Sequence, residues 1–421
     1  MKKTTFLKCL CGIALILLAN LLAAVAQEWS QWRGPQRDGV VPAFKPPAKW
    51  PTELKRRWCV EIGAGYSSPV VWQGQIFIHE RQQENEIVSR LDLKTGRTIW
   101  RETYRSPSGK SKQYADSEGE GPYSTPIVDA GQLYTFGINA VFSCYDTKTG
   151  ELKWRRDYSK ELLTKERFCG TAMSPLVEGN LIIIYVGDDN RGRLVALDKE
   201  TGREQWRWEE SGAGYASPIA AEFDGVRQLI HSTDQSVVGL TFDTGKLLWK
   251  ISYPSSRSGC SQNIVTPVVA DGKLIITGQG EGKGITAIKP VRSEAGWQVE
   301  RVWHNANLSM RLSSPTTDGK YLYGLADQRK GQYFRLDARN GELVWASNGR
   351  EGEIASALLA GAYLLFLSDE GQLTIALRDT TRFEPLVRYN LARSKVWAHP
   401  AVLGGQILVR ETSALTLWDF E

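Results

Sequence analysis

The chain has 421 residues, of which 42% are hydrophobic and 24% charged, enough to bury a large core. Its 40 Gly, 15 Trp and 15 Tyr favour many short strands joined by tight turns, so the expected class is all-β. The formal charge of +5 falls to +2 once Lys2, Lys3 and Lys8 leave with a cleaved leader, and no Lys/Arg block remains to track a phosphate backbone. Nucleic acid is therefore not an expected partner.

Residues 1–26 read as a Sec signal peptide. Basic residues precede an apolar run from Leu10 to Leu22, and the small side chains of Ala24-Val25-Ala26 suit a signal peptidase, with cleavage after Ala26. Asn20 interrupts the run, which is shorter than the ~20 apolar residues a spanning helix needs, so no transmembrane segment is expected after cleavage. Cys9 and Cys11 stand at the start of the run rather than just after it, so no lipobox is present. The expected location is periplasmic or secreted. Cys59, Cys144, Cys169 and Cys260 remain, and they admit either disulfides in three connectivities or buried free thiols.

Residues 27–54 form a lead-in that opens Trp29-Ser-Gln-Trp32-Arg-Gly-Pro-Gln-Arg-Asp38-Gly. From residue 55 to 421 the chain is repetitive. Gly96, Gly150, Gly202, Gly245 and Gly341 are each followed four residues later by Trp100, Trp154, Trp206, Trp249 and Trp345, and preceded by Asp92, Asp146, Asp198, Thr241 and Asp337. Asp bonds backbone amides two residues on and Gly supplies a positive φ, so each copy predicts a hairpin whose outgoing strand carries Trp. A second mark precedes each hairpin: Ser68-Pro69, Thr125-Pro126, Ser174-Pro175, Ser217-Pro218, Thr266-Pro267, Ser314-Pro315, a degenerate Ser356-Ala357, and His399-Pro400. Their mean spacing of about 47 residues is that of propeller blades with four strands each. The last copy ends before its Trp strand, and Lys55-Arg-Arg-Trp58-Cys-Val60 supplies a strand of that kind at the front. The prediction is an eight-bladed β-propeller, its ring closed by an N-terminal strand that completes the last blade and removes two exposed edges.

The Asp-x-x-Thr-Gly-x-x-x-Trp unit resembles the tryptophan-docking motif of pyrroloquinoline-quinone (PQQ) repeat propellers, from about Trp58 to the C-terminus. That family includes quinoprotein dehydrogenases and the non-enzymatic outer-membrane assembly factor BamB. The segment Trp29 to Gly39 is similar to the lead-in of secreted PQQ-like propellers. The Trp series reads as packing between blades, not as ligand contact.

In a propeller the innermost strand A lines the axis, and the D-to-A and B-to-C connections share one face around the channel mouth, the expected ligand site. Gly63-Ala-Gly-Tyr66 and Gly212-Ala-Gly-Tyr215 nearly coincide there, joined by Tyr123, Asn263, Arg311 and Trp397. The B-to-C connections add Asp188, Asp189, Arg191, Asp234 and Arg329. A polar segment from Arg105 to Pro122 is long enough for a lid or docking loop on the same face. His79 and His231 follow strand B in blades one and four and read as structural, with no metal assigned. A quinoprotein site needs calcium ligands, a general-base Asp, an Arg and flat groups around the quinone. Asp, Asn, Arg and Trp are all present, but the family's adjacent Cys pair is not. The favoured reading is a non-catalytic monomeric scaffold, with no cofactor, that binds protein partners or a small ligand at the mouth. The alternative is a dehydrogenase using PQQ and calcium on alcohols or sugars, with Asp188 or Asp234 as base.

Overall fold

A computed structural model of the chain describes residues 28–107, 121–162, 170–187, 191–210, 212, 214–254, 263–278 and 283–421. They form eight antiparallel sheets of four strands each, arranged as an eight-bladed β-propeller. Blade one runs Val70–Trp72, Gln75–Gln82, Asn85–Asp92 and Thr98–Arg105 from axis to rim. In blade eight, Ala401–Leu403, Gln406–Arg410 and Ala414–Asp419 are completed by Lys55–Glu61, which pairs Cys59 with Thr416 and Lys55 with Asp419. The ring closes where Trp58 predicted it would. The described helix is confined to Ser159–Leu162 and a 3-10 turn at Gln328–Lys330.

The Asp turns fold as their chemistry requires. Asp92 Oδ1 accepts from the amide and hydroxyl of Thr95 at 2.9 and 2.7 Å, and Gly96 adopts φ +69°. These bonds, the Thr95 hydroxyl first, hold the Asp92 carboxyl below its ordinary range. Five Trp then reach the next blade rather than the Gly of their own. Trp58, Trp100, Trp154, Trp206 and Trp303 lie over Gly96, Gly150, Gly202, Gly245 and Gly341. Their indole N–H groups donate to the carbonyls of Leu93, Thr147, Lys199, Phe242 and Ala338 at 2.7–3.0 Å. Trp303 escapes the Gly-x-x-x-Trp spacing because blade five carries a longer hairpin, Ile285–Ser293 with Gly296–Asn305. Trp249 and Trp345 fit the spacing but face blades without the Asp turn. Trp249 donates to Gln228 of its own blade at 2.7 Å, and the Trp345 indole N–H has no partner.

A Cβ at Gly202 would fall 2.6 Å from the Trp154 ring, whereas one at Gly225, at a similar φ, meets nothing within 4 Å. Gly202→Ala is therefore expected to cost about 2–3 kcal/mol and Gly225→Ala about 1 kcal/mol. Equal shifts in the urea midpoints of the two variants would mean that docking adds nothing to backbone strain.

The Ser/Thr-Pro marks form a belt around the axis. The amide N–H of Ser68 donates to the Thr125 hydroxyl, Thr125 to Ser174, Ser174 to Ser217, Ser217 to Thr266 and Thr266 to Ser314, all at 2.9–3.1 Å. His399 closes it by donating to Ser68 Oγ at 2.8 Å. At the degenerate blade the link reverses, Ala355 N–H donating to Ser313 Oγ. The hydroxyls of the six Ser/Thr-Pro marks thus tie one blade to the next.

Candidate ligand site on the propeller axis

The lead-in crosses the axis as a stopper. Trp29 and Val71 exchange backbone hydrogen bonds at 2.8 and 2.9 Å, and Val128 N–H donates to Ser30. On the far side Val41 and Gly39 bond Leu359 of blade seven at 2.7 and 2.9 Å. Between these anchors Gly34 turns at φ +87° directly against the Trp29 ring, where a Cβ would sit 3.0 Å from Cη2. Arg33 and Arg37 are carried inward, 0% and 7% exposed.

Both guanidiniums end among carbonyls. Arg33 Nη2 donates to the carbonyls of Asp38 and Pro315, while Arg37 reaches Pro175, Ser174 and Pro218 at 2.6, 3.1 and 3.3 Å. Proline carbonyls at the start of the axial strands accept here because each lies one residue before its β-ladder begins. Trp32 lies within 5.4 Å of the Arg33 guanidinium and 5.7 Å of that of Arg37, and makes an edge contact of 5.4 Å with His399. Burial pulls Arg33 down to about 10, and burial plus the neighbouring Arg33 charge pulls Arg37 down to about 9. Both remain cationic at neutral pH. With the Lys45 amide bonded to Gly404, the lead-in touches blades one, two, three, four, six, seven and eight.

At the mouth, Tyr66 stacks on Tyr123 at 5.7 Å and on Trp397 at 4.8 Å, forming an aromatic column across blades two, one and eight, with Lys395 Nζ 5.6 Å from the Trp397 ring. The twin Gly-Ala-Gly-Tyr turns share one job. The amides of Tyr66 and Ser67 both donate to the Pro122 carbonyl, and those of Tyr215 and Ala216 both donate to the Asn263 carbonyl. Tyr215 is buried, and the Asn263 amide donates to Thr233, Tyr253 and Asp234 carbonyls while accepting from Lys283 at 2.9 Å. Burial draws the Lys283 ammonium down to about 8. Asn263 therefore knits blades four and five. Gln235 donates to the Asp234 carboxylate at 2.9 Å. Arg311 lies 3.8 Å from Glu353, while Arg191 and Arg329 are exposed, Arg329 at φ +52°. Asp188 and Asp189 lie outside the described residues, as do residues 108–120 of the long connection.

His79 and His231 lie within strand B, fully buried in separate blades. His79 Nε2 is 3.1 Å from Glu86, whose carboxylate also takes Arg81, Ser106, the Tyr104 hydroxyl and the Ile138 amide. Burial opposes the charge on Glu86, but His79, Tyr104 and Arg81 outweigh it and bring the carboxyl down to about 2. His231 instead stacks on Tyr185 at 4.5 Å, and neither ring nitrogen has a partner. Cys144 is buried and Cys59 exposed, both as free thiols; Cys169 and Cys260 lie outside the described residues.

The described residues do not fit PQQ with calcium. No three His, Cys, Asp or Glu side chains gather among them to hold a metal ion. A planar tricycle on the axis at the level of the belt would have to displace Arg33 and Arg37. The lead-in arginines, Trp32 and His399 were not singled out by sequence reasoning. Two Arg flanked by Trp, in a segment outside the repeat, were the available signal.

An outer membrane protein assembly factor BamB of Kangiella koreensis is 28% identical over 195 residues, 46% of this chain and 44% of that protein, so the alignment spans less than half of that relative. The crystal structure of BamB from Moraxella catarrhalis superimposes with a TM-score of 0.61 at 15% identity, covering 87% of this chain and 98% of that one. A quinohemoprotein alcohol dehydrogenase from Pseudomonas putida gives 0.67 at 14% identity, covering 95% and 81%. At these identities the structural likeness is one of fold. The profile described as outer membrane protein assembly factor BamB matches residues 83–347, well over half the chain, and with its docking tryptophans and eight blades the chain belongs to this PQQ-repeat propeller family.

Proposed function

We propose that the protein is a non-catalytic scaffold of the bacterial envelope that holds a protein partner on its mouth face, in the manner suggested by relatives named as outer membrane assembly factors. The observation that supports this most is the stoppered axis, where the chain's own lead-in fills the space a cofactor would use. The half-buried column of Tyr123, Tyr66 and Trp397 beside Lys395 is the proposed contact surface. Rigid aromatic rings with one polar edge are favoured anchors in protein interfaces. Periplasmic or secreted placement belongs to the same reading.

The test pairs two measurements. A partner enriched from an envelope extract by the wild-type protein should bind the Tyr66→Ala/Trp397→Ala variant at least about tenfold more weakly, as expected when anchors are truncated. The purified protein supplied with PQQ and calcium should show no dye reduction with alcohols or aldoses. Cofactor-dependent dye reduction would replace the scaffold with the dehydrogenase reading, and undiminished binding by the folded variant would move the contact surface elsewhere.

A further inference from the structure

We propose that Arg33 and Arg37 form an oxyanion site on the propeller axis, taking one small carboxylate or phosphate group against Trp32. Burying a guanidinium is costly unless an opposite charge or a full set of acceptors accompanies it. Here two of them share the centre of the ring, and every acceptor they meet is neutral: the carbonyls of Asp38, Ser174, Pro175, Pro218 and Pro315, and the Gln31 side-chain amide at 3.2 Å. Asp38 is the one nearby carboxylate, and its Oδ1 is occupied by the Val40 amide at 2.9 Å. No ion pair to either arginine occurs among the described residues.

The donors left over point to the missing charge. Arg33 retains Nε and Nη1, and Arg37 retains Nε, without a hydrogen-bond partner. His399, in edge contact with Trp32, adds an unpartnered Nδ1. Guanidinium groups present planar, paired N–H donors that match the two oxygens of a carboxylate or phosphate. The carbonyls hold Arg33 Nη2 and, with Gln31, both Nη groups of Arg37, so the remaining donors, Arg33 Nε and Nη1 and Arg37 Nε, are already oriented. An anion bound here would lock the lead-in across the ring, linking ligand occupancy to the stopper rather than to chemistry. This site is separate from the proposed partner surface and stands or falls independently of it.

Titration calorimetry of the mature chain at constant ionic strength, with inorganic phosphate and separately with acetate or citrate, tests the site. One saturable binding event is expected, and the two arms decide between phosphate and carboxylate. Hydrogen exchange across residues 29–41 should slow at least about tenfold under saturation while the blade strands stay unchanged. Arg33→Gln and Arg37→Gln should each abolish the binding event, with surface Lys320→Gln as the neutral control. Absence of saturable binding to the wild-type chain, or of any exchange change in 29–41, overturns the proposal whether or not the arginine variants fold. Undiminished binding by either folded variant overturns it too.

Discussion

Replacing Trp29 with alanine is expected to destabilise the protein by about 3–5 kcal/mol, the range for removing a large buried aromatic side chain. Trp29 is 0% exposed and belongs to a core cluster that joins Val71, Leu358 and Ala401, so it packs blades one, seven and eight together from inside the ring. Its indole N–H has no partner, which places the whole effect in packing rather than hydrogen bonding. The ring also supports the Gly34 turn that delivers both arginines, so its removal should loosen residues 29–41 as a unit. Thermal melting should fall by on the order of 4–6 °C, given the small shift per kcal/mol in a domain of this size. A melting temperature within about 1 °C of wild type would show that the stopper is decoration, and would weaken both the cofactor argument and the scaffold reading.

The ring was legible because its devices repeat. Asp92 and its counterparts announce a turn through side-chain chemistry, and six Ser/Thr-Pro marks, with Ser356-Ala357 and His399-Pro400 at similar intervals, give the blade count even where Gly-x-x-x-Trp fails. What the repeat could not reveal was the destination of each Trp. Spacing joins Gly245 to Trp249, but the indole over Gly245 is Trp206, because docking is a contact between blades and sequence spacing reports only contacts within one. Trp303 was hidden by the long hairpin of blade five for the same reason. The aromatic residues at the mouth could be listed from their positions before each Pro, yet the stacking of Tyr66 on Trp397 joins residues from the first and last blades and depends on ring closure. The axial arginines lie outside the repeat altogether, where periodicity carries no information.

Acid is expected to destabilise this protein from near pH 6.5 downward, earlier than carboxylate titration alone would cause. His231 is fully buried against Tyr185, and burial holds its folded pKa down to about 3 against about 6.5 when unfolded. Between those values the unfolded chain binds a proton that the folded chain refuses, so stability falls as pH falls, by about 1.4 kcal/mol per pH unit. His399 is also brought down to about 3, by burial and then by the Arg33 charge, and adds in the same direction. Glu86 acts later. Its carboxyl is held at about 2, below the ordinary glutamate value, so its contribution is complete above that ordinary value and is lost progressively as pH falls from there to about 2. Urea midpoints taken at pH 7, 6, 5 and 4 should therefore decline steadily across the whole range, and His231→Phe should flatten the decline by roughly one proton. A stability that stays level from pH 7 to 5 in the wild-type chain would mean that His231 accepts a proton without unfolding, and that its pocket admits water.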